Sequence, residues 1–100
     1  MARKHSLKTL VKRLRRQLPL LKDRFGVETL EIFGSYARAE QKVDSDLDVL
    51  VTFEDAPGLL TFIALENYLS DELGIQVDLV MKDSLKPAIG KVILSETMPV

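Results

Sequence analysis

From Leu7 onward, apolar residues recur at three- and four-residue spacing: Leu7, Leu10, Val11, Leu14, Leu18 and Leu21. That period predicts an amphipathic helix. Ser6 is placed to cap its start and Gly26 to stop it. Pro19 falls inside the pattern and is expected to kink the helix or to open a second one, since an interior proline removes a backbone hydrogen bond. After Gly26 the pattern shortens into apolar runs. Thr29 to Phe33 reads as a first strand, and Asp46 or Leu47 to Phe53 as a second. Between them Gly34-Ser35 marks a turn, and Tyr36 to Glu40 is expected to form a short helix with Tyr36 exposed. Glu54 to Gly58 is a loop. Leu59 to Leu73 carries a broad apolar stripe (Leu59, Phe62, Ile63, Leu65, Leu69, Leu73) and predicts a second long helix that Gly74 ends. Ile75 to Met81 reads as a third strand, expected to lie centrally in the sheet. Pro87 opens a last helix with Ile89, Val92 and Ile93 on one face.

Two aspartates stand at the head of the second strand. Side chains on a strand alternate faces, so Asp46 and Asp48 share one face and Leu47, Val49 and Val51 share the other. Carboxylates about 6.5 Å apart, at a rise of roughly 3.3 Å per residue, suit a hard cation. Mg²⁺ is commonly held by one or two carboxylates plus substrate phosphates. Gly34-Ser35 lies where a strand hands over to a helix. Free amides at such a start bind anions, and glycine lets a phosphate approach the backbone. Asp78, in Val77-Asp78-Leu79-Val80, faces away from Val77 and Leu79; beside Asp46 and Asp48 it would join one carboxylate cluster. Otherwise it is a solvated strand-end aspartate.

Other readings of these residues fail on spacing. An EF-hand loop starting at Asp44 would need Gly at Val49 and Glu at Asp55. An aspartyl-phosphatase strand should precede its acids, whereas here the apolar run follows them. Ser35 lacks a partner base, because the only histidine is His5.

The 100 residues set the scale of one domain, taken as 1–100 with an N-terminal helical segment, 1–25, and a catalytic core, 26–100. There is no cysteine, which removes disulfides, thiol nucleophiles and thiolate metal sites. A single histidine argues against a histidine-based zinc site. No apolar run approaches the ~20 residues needed to span a bilayer, no secretion signal is evident, and a cytoplasmic location is expected. Net charge is −1, but residues 3–16 hold Arg3, Lys4, Lys8, Lys12, Arg13, Arg15 and Arg16 and no acid. This is either a solvated helix face or a docking surface for an acidic partner or RNA. No aromatics interleave with these cations, so direct nucleic-acid binding is not expected.

Taken together, Gly34-Ser35, Arg38 and Ser45-Asp46-Leu47-Asp48 strongly resemble the signature of the minimal nucleotidyltransferases, the smallest members of the DNA polymerase beta-like superfamily. The resemblance runs from about residue 19 onward. It implies an α/β (α+β) fold: a small mixed sheet with helices mainly on one face. It implies a third metal-binding and catalytic carboxylate, Asp78, beside Asp46 and Asp48, with two Mg²⁺ ions and ATP as the substrate. Gly34, Ser35 and Arg38 are the implied phosphate contacts, although Arg38 could equally pair with a motif aspartate. Ala39 departs from the glycine many relatives carry there. The chain's length is taken up by the catalytic core, so an acceptor site is expected from a partner, in a hetero-oligomer. Small proteins resembling this one are typically the antitoxin of a pair whose toxin is a HEPN-domain ribonuclease, and the implied reaction moves AMP from ATP to a tyrosine hydroxyl of that toxin. The alternatives are a non-catalytic antitoxin acting by occlusion, or a transferase subunit acting on a small molecule or an RNA end.

Overall fold

In a computed structural model describing residues 6–100, the chain runs α1 (Leu7–Phe25), β1 (Val27–Phe33), β2 (Leu47–Phe53), α2 (Leu59–Leu73), β3 (Val77–Met81), a short 3-10 turn (Lys82–Ser84), α3 (Pro87–Leu94) and β4 (Met98–Pro99). Arg3, Lys4 and His5 lie outside the described residues. The strands form one mixed sheet in the order β3-β2-β1-β4. β1 is antiparallel to β2 and β4, and β2 is parallel to β3. A parallel neighbour needs a crossover, and α2 supplies it.

The core forms where the alternation of the strands meets the stripes of the helices. Val27, Leu30 and Ile32 of β1, Leu47, Val49 and Val51 of β2, and Val77 and Leu79 of β3 are buried against Leu10, Leu14 and Leu21 of α1 and Leu65, Leu69 and Leu73 of α2. The uneven spacing of Val27 and Leu30 reflects a register shift in β1 between Val27 and Thr29, a bulge that turns both inward. Each such aliphatic side chain contributes roughly 1.5–3 kcal/mol on burial.

Four expectations change. Pro19 neither ends nor splits α1, which continues to Phe25. Pro19 and Arg15 are both exposed, on the solvent side of the helix where a missing backbone bond is least costly. Ser6 occupies the N-cap position without a side-chain cap, whereas Gly26 (φ 72°) donates its N–H to the Leu21 and Lys22 carbonyls as a left-handed stop. β3 is an edge strand, not a central one. Its edge is blunted by α2, since Val77 N–H donates to Ser70 Oγ at 3.0 Å and Leu79 N–H to Glu66 Oε2 at 2.9 Å, leaving fewer donors for a foreign strand. Finally, Ile89 and Val92 of α3 point outward, and the buried position on that helix is Gly90.

α1 keeps its cations on the solvent side. Arg13 reaches back, its guanidinium donating to the Glu72 and Leu73 carbonyls at the C-terminal end of α2, where the helix dipole favours a cation.

Candidate active site

β1 ends at Phe33, and Gly34 turns the chain with φ 76°. A Cβ on Gly34 would fall 2.0 Å from Asp48 Oδ2. No side chain fits here, for reasons of both space and backbone conformation. Gly34 therefore lies directly against the carboxylate of Asp48.

The expected helix over Tyr36 to Glu40 is a single turn instead. Arg38 N–H donates to Gly34 O at 3.1 Å, Glu40 N–H to Ser35 O at 2.8 Å and Ala39 N–H to Tyr36 O at 3.3 Å. The last two are the paired bonds of a Schellman ending, with Ala39 in the left-handed position at φ 58°. The helix stops because its terminator arrives after one turn. Ala39 follows the path a glycine would take, at a conformational cost of roughly 1–2 kcal/mol.

Tyr36 is not exposed. At 1% accessibility it is the largest fully buried side chain, seated in the core cluster. Its hydroxyl has no hydrogen-bond partner among the described residues, and burial raises its pKa. Tyr36 fastens the Gly34-Ser35 turn to the core. A lone aromatic in a polar segment gave no periodic signal of that role.

The second half of the site is set by β2. Lys42 N–H donates to Ser45 Oγ at 2.7 Å and Ser45 N–H to Lys42 O at 3.1 Å, closing a tight turn. Leu47 N–H then donates to Gln76 O at 2.9 Å, which starts the pairing with β3. Asp46 thus sits exposed at the mouth and Asp48 half-buried one step inside. Phe33, Asp48 and Asp78 form one cross-strand row. This row brings Asp48 and Asp78 together from different strands, beside Gly34.

Like charges at this spacing disfavour ionisation. Burial first, then the Asp78 and Asp46 charges, push the Asp48 carboxyl up to about 6, while the Arg38 guanidinium pulls the other way. Among the described residues no three carboxylates close into a ready-made metal cage. The donor set nevertheless fits Mg²⁺, whose usual coordination combines one or two carboxylates with phosphate oxygens and water.

Arg38 pairs with no motif aspartate. Its Nε–H donates to Glu40 Oε2 at 3.1 Å and its Nη1–H to Glu96 Oε2 at 2.8 Å, and these bonds raise its pKa, with Glu96 the larger cause. Glu96 was not legible as a site residue, because it lies 58 residues from Arg38 in a segment without apolar period.

Paired carboxylates on adjacent strands, abutted by a glycine turn, are equipment for metal-assisted phosphoryl or nucleotidyl transfer. The nucleotidyltransferase domain family matches residues 14–99, and the chain belongs to that family. It is 56% identical over 78 residues to the protein adenylyltransferase MntA of Thermococcus cleftensis, covering 78% of this chain and 79% of that one. A Methanocaldococcus jannaschii chain, named provisionally as a protein adenylyltransferase, is 52% identical over 73 residues, covering 73% and 74% of the two chains. A solved structure assigned provisionally as a minimal nucleotidyltransferase superposes with TM-score 0.82 at 38% identity, over 96% of this chain and 97% of that one. A toxin–antitoxin structure with AMP-PNP shares the fold at TM-score 0.71 and 24% identity, over 85% and 69% of the chains. The chain is thus a nucleotidyltransferase, with a nucleotide as substrate. No described helix is long and apolar enough to cross a membrane.

Proposed function

We propose that this protein is an antitoxin that transfers AMP from ATP to a tyrosine hydroxyl of a HEPN-domain ribonuclease toxin and thereby silences it. The observation that carries this reading is the Asp48–Asp78 pair set against Gly34, in a chain so similar to a protein adenylyltransferase over most of its length. Residues 1–100 act as one catalytic unit, with α1 packed onto the sheet.

Asp46, Asp48 and Asp78 would hold Mg²⁺, which when bound would neutralise phosphate charge and lower the pKa of the attacking hydroxyl. Gly34 lets the triphosphate approach the backbone, and the Ser35 hydroxyl and amide bind its oxygens. Arg38 adds a further cation at the same turn. The acceptor oxygen attacks the α-phosphorus, forming a new P–O bond. The bond from that phosphorus to the bridging oxygen of the β-phosphate breaks, and pyrophosphate leaves. The hydroxyl proton passes to a site carboxylate, with Asp78 the exposed member of the pair.

The test is an intact-mass measurement of a HEPN partner incubated with this protein, ATP and Mg²⁺. A gain of one or more AMP units, absent with an Asp46→Asn, Asp48→Asn variant, is expected. An unmodified partner held silent in a tight complex would sink the transfer reading in favour of occlusion.

A further inference from the structure

Arg38 stands beside the site carboxylates, yet two of its donors are already engaged. A guanidinium carries five N–H groups; one goes to Glu40 and one to Glu96, leaving three. The two acceptors are unlike. Glu40 belongs to the same loop and its side chain is 64% exposed, whereas that of Glu96 is 25% exposed and comes from the far end of the sequence. An exposed pair such as Arg38–Glu40 is worth little.

Glu96 is pinned from both sides. Its N–H donates to Ile93 O at 3.1 Å, tying it to the end of α3. Two residues later β4 pairs Met98 with Ile32 and Pro99 with Glu31, and Val100 N–H donates to Leu30 O at 3.1 Å. Glu96 stands two residues before that pairing begins, in the turn that closes α3. The segment after α3 is therefore strapped along β1, with its one carboxylate delivered to the turn at the site.

We propose that Glu96 is a positioning residue for the nucleotide: it fixes the Arg38 guanidinium beside the Gly34-Ser35 turn, so that the remaining donors meet phosphate oxygens. The proposal rests on the nucleotidyl-transfer reading above. A free arginine side chain samples many rotamers. Holding it in place beforehand removes part of the ordering cost from binding. A strap of α3 and β4 thereby becomes part of the nucleotide site, although it contributes none of the motif residues.

The test is calorimetric binding of a non-hydrolysable ATP analogue with Mg²⁺ to the full chain, without acceptor. Arg38→Ala and Glu96→Gln are each expected to weaken binding roughly tenfold, in the range seen for supporting partners of a ligand-binding group. The double variant should be no weaker than Arg38→Ala alone, because the two side chains act as one unit. Glu40→Gln should change affinity less than about twofold. In turnover, Glu96→Gln should raise KM for ATP and leave kcat near the wild-type value. Unchanged or tighter binding by Glu96→Gln would overturn the proposal, the latter by showing that Glu96 competes with phosphate. Wild-type affinity in Arg38→Ala would overturn it too. Failure of the underlying reading shows separately, as no binding of the analogue by the wild-type protein.

Discussion

Asp48→Asn separates a functional carboxylate from a structural one. The Asp48 carboxyl lies at about 6 against an ordinary 3.8, because burial and the Asp78 and Asp46 charges oppose its ionisation. A folded-state pKa above the unfolded value means that the folded protein holds a proton the unfolded chain has released. The stabilising contribution of that proton is complete below about 3.8 and is lost as pH rises through about 6. At neutral pH the ionised group therefore destabilises the metal-free fold. The full shift corresponds to ~3 kcal/mol; Asp48 is only half-buried, and solvent screening brings the net effect to about 1–2 kcal/mol. Asn has the same shape and no charge to bury. In the presence of a chelator, Asp48→Asn should unfold roughly 5–10 °C higher than the wild type at pH 8, since 1 kcal/mol is worth about 4–8 °C in a domain of this size. The gap should narrow toward zero at pH 4. Differential scanning fluorimetry across pH 4–8 measures it. Mg²⁺ with a non-hydrolysable ATP analogue should raise the wild-type midpoint and not the variant's. A gap that stays constant with pH, or a variant less stable at pH 8, would refute the electrostatic account of the site.

Other substitutions test the turn. Gly34→Ala places a Cβ against Asp48 Oδ2 at a left-handed position; stability should fall by about 1–2 kcal/mol, while AMP transfer falls on the order of 100-fold as the carboxylate is displaced. Transfer that falls no further than the folded fraction would contradict this. Ala39→Gly relieves the left-handed strain and costs some unfolded-state entropy, so urea denaturation should show a net gain of about 0.5–1 kcal/mol; a loss would mean that Ala39 does not terminate the turn as described. Tyr36→Phe removes a buried hydroxyl that has no partner among the described residues and should stabilise by about 1 kcal/mol. A comparable loss would reveal a bound water or another acceptor at that hydroxyl.

The long elements were legible because period and punctuation agreed. Leu59 to Leu73 carries its stripe up to Gly74, and the helix ends there. Leu47, Val49 and Val51 face the core as expected. Asp48 and Asp78 were each visible as an acid in an apolar strand, and the parallel pairing of β2 with β3 sets them side by side. What the sequence hid was non-local or non-periodic. β4 is two residues long, too short to show alternation, and only its pairing with β1 defines it. The edge position of β3 depends on strand order, which no local pattern encodes. Tyr36 looked exposed because a one-turn segment has no face to read. Glu96 is a single acid whose partner lies 58 residues away, and Glu66 bonds a backbone amide of the next strand, which no local pattern marks.

The places where local rules fail are themselves informative. Sequences that fold well keep propensity, packing and electrostatics consistent, and exceptions concentrate where function requires them. In this chain several exceptions gather between residues 34 and 48. Gly34 and Ala39 hold left-handed conformations, Tyr36 buries a hydroxyl without a partner among the described residues, and Asp48 keeps a carboxyl where ionisation is disfavoured. Apart from Gly34, each would be improved for stability by a single substitution, to Gly at 39, to Phe at 36, to Asn at 48. The substitution at 48 removes a site carboxylate outright. Those at 36 and 39 alter only the support beneath it, so they should raise stability without abolishing transfer. That split between support and chemistry is what a site built on a strained turn demands. A general softness of the segment would instead make all three changes stabilising and equally harmless to transfer.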